Sequence, residues 1–353
     1  MLDLAFVLTL GGIFSVLFIW AFRHLPGERW QFIAAVPLKK NGDGSWHGVN
    51  LTYYGFFNAN AYLMAVLTLF VLLGAVGVPP SATLAFTFVL LAACMPASRL
   101  VARLVENKRF TFSIAGAAFI GLIISPWLAW LVDRMLGVPL GFHLPVTAAM
   151  AAVSVAYAIG EGLGRLACIS FGCCYGKPLS ALSPLIRRML MGRAFTFQGK
   201  TKKIAYADRL EGEKVVPIQA LTAVLYSGIG LLGVYCYLKG YFRSAFLIPL
   251  FITQGWRFLS EFLRADYRGG GGVTAYQKMC LAAMTYAGVV SAATGALTLT
   301  ATGAPNLSAG IASLWHPALI LFFQGLWVLS FLYTGKSQVT MAHLTFKVRR
   351  DRI

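Results

Sequence analysis

Acidic residues are scarce in this sequence, with 12 Asp and Glu among 353 residues against 30 Lys and Arg. Charged residues of both signs make up 12% of the chain and hydrophobic residues 58%, whereas soluble domains carry roughly twice that charge. A soluble fold is therefore excluded, and the chain reads as a polytopic membrane protein. Cysteine is also sparse: Cys94, Cys168, Cys173, Cys174, Cys236 and Cys280 are too few and too scattered for the disulfide framework of a small secreted domain. Cys94, Cys236 and Cys280 lie in apolar runs, where a buried thiol behaves as a small hydrophobe. No aromatic platform interleaves with the basic residues, so the net charge of +18 does not predict a nucleic-acid partner. It fits loops facing an anionic leaflet instead. No internal repeat is visible. The first apolar run has no basic residue before it and no small-x-small cleavage site after it, and so reads as a retained span, not a signal peptide.

What the sequence does contain is a series of apolar runs. A bilayer core about 30 Å thick needs about 20 such residues per helix, and nine stretches qualify: 4–22, 54–77, 83–101, 111–133, 145–164, 217–238, 244–263, 279–298 and 310–334. The expected fold class is an all-α integral membrane protein of about nine transmembrane helices with a small polar head. Residues 1–53 would supply a first helix and a polar loop. Residues 54–298 would form the membrane core, with its head at 165–216, and 299–353 a last helix and the basic tail KVRRDRI. With nine spans, only Arg134, Lys239 and Arg243 fall on the side of the N-terminus. The positive-inside rule then makes the opposite, basic side cytoplasmic.

Charges inside spans are costly and usually line a polar cavity. Glu161 and Arg165 stand at i and i+4 in the fifth span, and Arg257, Glu261 and Arg264 recur on one face of the seventh at spacings of four and three. One reading is a set of structural salt bridges. The other is a grip on an anionic lipid, because guanidinium forks bind phosphate through two parallel N–H···O bonds and keep their proton. Glycines at 160, 162, 164, 172 and 176 surround Arg165 and let a backbone or head group approach closely. Cys168, Cys173 and Cys174 admit three readings: metal ligands, a nucleophile at Cys173 or packing residues. Packing is preferred, because adjacent cysteines rarely share one ion and no histidine is near. Tyr53 and Tyr54 open the second span as interfacial anchors, and His47 reads as solvated in its loop.

These residues resemble the prolipoprotein diacylglyceryl transferase family. The likeness covers roughly 50–298 and is carried by YYGFFNANAYLMAV at 53–66, GRLACISFGCCYGKP at 164–178, VPIQ at 216–219 and GWRFLSEFLRAD at 255–266. It implies transfer of the diacylglyceryl group of phosphatidylglycerol to the lipobox cysteine of a lipoprotein precursor, in a bacterial-type inner membrane, with no cofactor and no metal. By resemblance, Tyr54 matches the essential tyrosine, Arg165 and Arg257 the phosphate-gripping arginines and Gly176 the glycine closing the signature. Glu261 and Arg264 match a Glu and an Arg of the same helix. Gln219 and Pro217 are what survives of a P-x-Q-L-Y-E motif, and Lys177 is expected to help draw in the head group. The chain departs from the family where Cys168 and Cys173 replace an Asn and a Glu, and where Ala115, Gly116 and Ala117 replace His-Gly-Gly.

The family reaction needs a thiol to lose its proton and glycerol phosphate to leave. With the histidine and the signature glutamate gone, Glu161 and Glu261 are the two candidate carboxylates for the proton, and Glu161 is the expected substitute. The family's motif side faces outward, against the charge rule. Three functions follow: a transferase with a lipoprotein acceptor, a relative with another acceptor at the cytoplasmic face, and a phospholipid-binding or transport protein. All three need Arg165 and Arg257 to converge in a chamber open to lipid.

Overall fold

The computed structural model describes residues 1–106, 114–266, 272–295 and 304–342. Thirteen helices are described: α1 (Leu2–His24), α2 (Tyr53–Ala75), α3 (Pro80–Glu106), α4 (Ile114–Val132), α5 (Val138–Leu140), α6 (Val146–Phe171), α7 (Pro184–Leu190), α8 (Lys203–Asp208), α9 (Ile218–Leu238), α10 (Phe242–Ser260), α11 (Ala275–Gly295), α12 (Leu307–Ser313) and α13 (Pro317–Gly335). Seven are long and apolar enough to cross a membrane: α1, α2, α3, the run Ile114–Leu140 that begins with α4, α6, α9 and α13. The expected spans 244–263 and 279–298 are helices α10 and α11. Polar residues such as Arg243, Gln254 and Arg257 in α10, and Gln277 and Lys278 in α11, make them less apolar than those seven.

Helix α6 is the axis of the bundle. Its sequence VTAAMAAVSVAYAIGEGLGRLACISF is rich in Ala and Gly, so neighbouring backbones can approach on every side. It packs against α2, α4, α9 and α10 and is buried over most of its length. Helix α1 lies on α9, α3 on α4, α11 on α10, and α12 and α13 on α2. The Thr52 hydroxyl caps α2 by accepting from the Gly55 amide, and Asn306 caps α12. The expected ninth span, 310–334, is two helices. Pro317 at the first position of α13 holds His316 extended, so α12 cannot run through.

The protein is mostly helical, but its polar segments are not loops throughout. Strands β1 (Phe32–Lys40), β2 (Trp46–Thr52) and β5 (Lys336–Ala342) form an antiparallel sheet in the order β1-β2-β5. The turn between β1 and β2 closes through Asn41, Asp43 and Ser45, with Asp43 accepting from the Ser45 amide at 2.9 Å. The stretch expected as an N-terminal loop and the start of the expected C-terminal tail therefore meet in one sheet. His47 lies half-buried in its central strand, not solvated in a loop. The remainder of the tail, including KVRRDRI, lies outside the described residues.

The head contains the short pair β3 (Phe195–Thr196) and β4 (Lys214–Val215) and closes over Phe195, Phe197, Ile204 and Val215. Lys202 is fully buried there, donating to the Ser170 carbonyl at 2.6 Å and the Leu25 carbonyl at 3.2 Å. Burial lowers its amine from 10.5 to about 8, against a raising influence from Glu28. Between those values the unfolded chain binds more protons than the folded one, so this lysine makes stability rise with pH across that window. In thermal unfolding at pH 8 and pH 10, the wild type should therefore gain relative to Lys202→Met. A pH-independent difference between the two proteins refutes it.

Candidate functional site

The charges of the fifth span are directed inward. Tyr157, Glu161 and Arg165 lie one turn apart on one face of α6, and Arg165 donates through Nη2 to Glu161 Oε1. Arg257 reaches the same oxygen from α10, with Nη2 at 3.3 Å, and its Nη1 donates to the Tyr157 hydroxyl at 3.0 Å. Guanidinium groups from two helices thus converge on one carboxylate. The side chains of Arg165, Glu161 and Arg257 are only 8%, 3% and 11% exposed. The two arginines converge as expected, but the expected chamber open to lipid is not there: the cluster is closed, with all three side chains nearly fully buried. Arg165 Nε is buried and has no hydrogen-bond partner, so one donor of the fork remains unused.

Helix α9 holds this region from the other side. The Tyr226 hydroxyl donates to the Thr253 carbonyl at 2.6 Å, and Trp256 Nε1 donates to Thr222 at 2.8 Å, tying α9 to α10 beside Arg257. The Tyr226 ring lies 6.3 Å from that of Tyr157. Glu261, just past α10, acts electrostatically on both Arg257 and Arg264.

The signature segment turns at the end of α6. Gly172 caps the helix with φ +70°, a left-handed conformation that suits glycine. Four residues on, a Cβ at Gly176 would stand 2.5 Å from the Val216 carbonyl oxygen, so only glycine fits between these strands of backbone. Gly176 forms a bridge with Arg264, flanked by hydrogen bonds from the Lys177 amide to Leu263 at 2.8 Å and from the Ala265 amide to Tyr175 at 3.2 Å. Two segments of the sequence resemblance are thus stitched together by backbone. Gln219 adds a third, donating to the Cys173 carbonyl at 2.8 Å.

Several expected site residues have other settings. Arg264 does not continue the helical face of Arg257 and Glu261: α10 ends at Ser260, and Arg264 has an extended backbone. Its guanidinium is paired with Asp266 through two bonds of 2.8 and 2.9 Å. The Lys177 side chain is exposed. Tyr54 is half-buried, with its ring edge-on to Phe171 at 5.5 Å. Its hydroxyl lies near Asn58 and shares the electrostatic surroundings of Cys168, Cys173 and Cys174. Hydrogen bonding to Cys168 and Cys174, followed by burial, pushes the Cys173 thiol well up, the opposite of what a thiolate nucleophile requires. The position of the absent histidine offers no titratable group, since Ala115 and Gly116 are buried in α4 and pack towards α3. Sequence reasoning missed Tyr157, one turn before Glu161, although the i−4 spacing could have found it. It also gave no role to Asp266, which stands inside a quoted motif.

No protein-family model matches the chain, and no curated protein matches it.

Proposed function

We propose that this protein is a phospholipid-dependent transferase of the bacterial-type inner membrane, moving the diacylglyceryl group of phosphatidylglycerol to an acceptor thiol and releasing glycerol phosphate. The reading rests on one observation: two guanidinium groups from separate helices share one buried carboxylate, and one donor is left over. An arginine fork matches phosphate better than it matches a lone carboxylate oxygen, and Arg165 has a donor to spare.

On this reading the lipid phosphate takes the place of Glu161 between Arg165 and Arg257. The displaced carboxylate is then free to accept the proton of the incoming thiol. Sulfur attacks the terminal glycerol carbon of the diacylglyceryl group. A carbon–sulfur bond forms, the carbon–oxygen bond to phosphate breaks, and the electron pair leaves on glycerol phosphate. The two arginines stabilise the charge gathering on that leaving group. Tyr157 orients Arg257, and Tyr54 with Asn58 borders the acceptor side. Helices α10 and α11 serve as two further spans, for nine in all.

The lipobox cysteine of a lipoprotein precursor is the acceptor we favour, on the family resemblance. A different acceptor at the cytoplasmic face is the second reading, supported by the basic bias of the polar segments and by the lack of a histidine in α4. Purified protein incubated with head-group-labelled phosphatidylglycerol and a lipobox peptide should release glycerol phosphate and yield a peptide thioether. Release without a thioether favours the second reading. If neither product forms while the labelled lipid binds, the chain is a phospholipid-binding protein and the transferase reading fails.

A further inference from the structure

Three thiols meet at the end of α6, and the phospholipid reading makes no use of them. Cys168 sits in the last turn of the helix, and Cys173 and Cys174 follow the Gly172 cap. Their sulfur atoms all lie within 4.8 Å of one another, and among the described residues they form the one such group of three potential metal ligands. Cys168 and Cys173 are buried and Cys174 is partly so.

Adjacent cysteines seldom face one point, because an ordinary extended or helical backbone sends them apart. Here the backbone is not ordinary. Cys174 has φ +58°, one of two non-glycine residues in the left-handed region among the described residues, a conformation that carries strain for a residue with a Cβ. Together with the left-handed Gly172, it folds the chain back so that both sulfurs come within reach of Cys168. The loop is pinned from outside by the Cys173 amide bonded to the Cys168 carbonyl at 3.0 Å and by Gln219 holding the Cys173 carbonyl.

We propose that Cys168, Cys173 and Cys174 form a three-thiolate site for a soft d10 cation, Cu(I) or Zn(II). Three thiolates at about 2.3 Å from one ion stand roughly 4 Å apart, with a water completing the tetrahedron where the ion is Zn(II), so the observed grouping needs only small movements to close. Thiolate ligands without imidazole or carboxylate select soft ions. Three thiolates around a monovalent or divalent ion leave net negative charge, and Arg165 acting on Cys168 and Arg264 acting on Cys174, each also paired with a carboxylate, temper it. The thiol protons pass to solvent as the metal binds. The site goes beyond the proposed transfer reaction, and its test does not use that activity.

The test uses full-length protein in detergent, reduced and stripped with chelator, titrated separately with Zn(II) and with Cu(I) against chromophoric competitors. One equivalent of at least one ion should bind per chain, with release of protons. Alkylation mapped by mass spectrometry should show Cys168, Cys173 and Cys174 protected by the metal, and Cys94, Cys236 and Cys280 unchanged. Cys173→Ser should weaken binding at least about 100-fold, and Cys280→Ser should leave it alone. Should Cys173→Ser fail to fold, the alkylation map of the wild type decides. Uptake of neither ion, protection of other cysteines, or full uptake by folded Cys173→Ser overturns the site.

Discussion

Replacing Arg165 by alanine should destabilise the protein by about 3–5 kcal/mol and remove transfer activity. The expected stability loss arises because Glu161, 3% exposed, keeps only the 3.3 Å contact with Arg257, and a buried charge robbed of its main partner costs that much. Arg165→Lys separates the two effects. A lysine keeps the charge and most of the stability but cannot offer a fork to phosphate, so transfer should still fall at least about 100-fold, as when a charge-stabilising donor is lost elsewhere. Glu161→Gln tests the same cluster from the other side. Two guanidinium groups then face each other without the carboxylate between them, and the fold should weaken. Phosphatidylglycerol should restore thermal stability to this variant by more than it adds to the wild type, because the phosphate fills the vacated place. Phosphatidylcholine should restore less. Equal stabilisation by both lipids, or a folded Glu161→Gln protein with full activity, defeats the proposed exchange of carboxylate for phosphate.

Gly176→Ala should be the most damaging small substitution in the signature. Its Cβ would lie 2.5 Å from the Val216 carbonyl oxygen and 2.6 Å from Val216 Cβ. Neither atom is the free end of a flexible side chain, so the backbone must move, at a cost of about 3 kcal/mol, near the upper range for overpacking. The same shift opens the bridge to Arg264 and loosens the seam between the signature loop and the end of α10. Gly228→Ala provides the contrast. It lies in α9 with nothing within 4 Å of a Cβ, so alanine should be neutral or stabilise by up to about 1 kcal/mol through helix propensity. Chemical denaturation of the two variants in detergent compares them directly. Similar stability of both would show that the close approach at Gly176 does not matter.

Much of the helical framework was legible because bilayer-length apolar runs and capping residues are local signals. The i, i+4 spacing of Glu161 and Arg165 predicted a pair on one helix face, and that pair is present. The strands were not legible. β1 is exposed along its whole length and shows no alternation of buried and exposed residues, and its sheet is completed by β5 from almost 300 residues further along. Only the Asn-Gly-Asp-Gly turn at 41–44 hinted at a hairpin. Arg264 was misread for a related reason: helical periodicity continues in the sequence past Ser260, but backbone pairing with Gly176 draws the chain out of the helix.

By itself, then, the sequence determined that the chain carries helices long and apolar enough to cross a membrane, and that Glu161, Arg165 and Arg257 are too costly in apolar surroundings to be incidental. Composition and spacing suffice for this, since desolvation penalties and helix periodicity belong to each segment separately. The tertiary structure alone decided that both arginines grip the same oxygen of Glu161, that Arg264 belongs to Asp266, and that three thiols share one corner. Such facts depend on how helices from distant parts of the chain cross, and that is set by side-chain packing across the whole bundle.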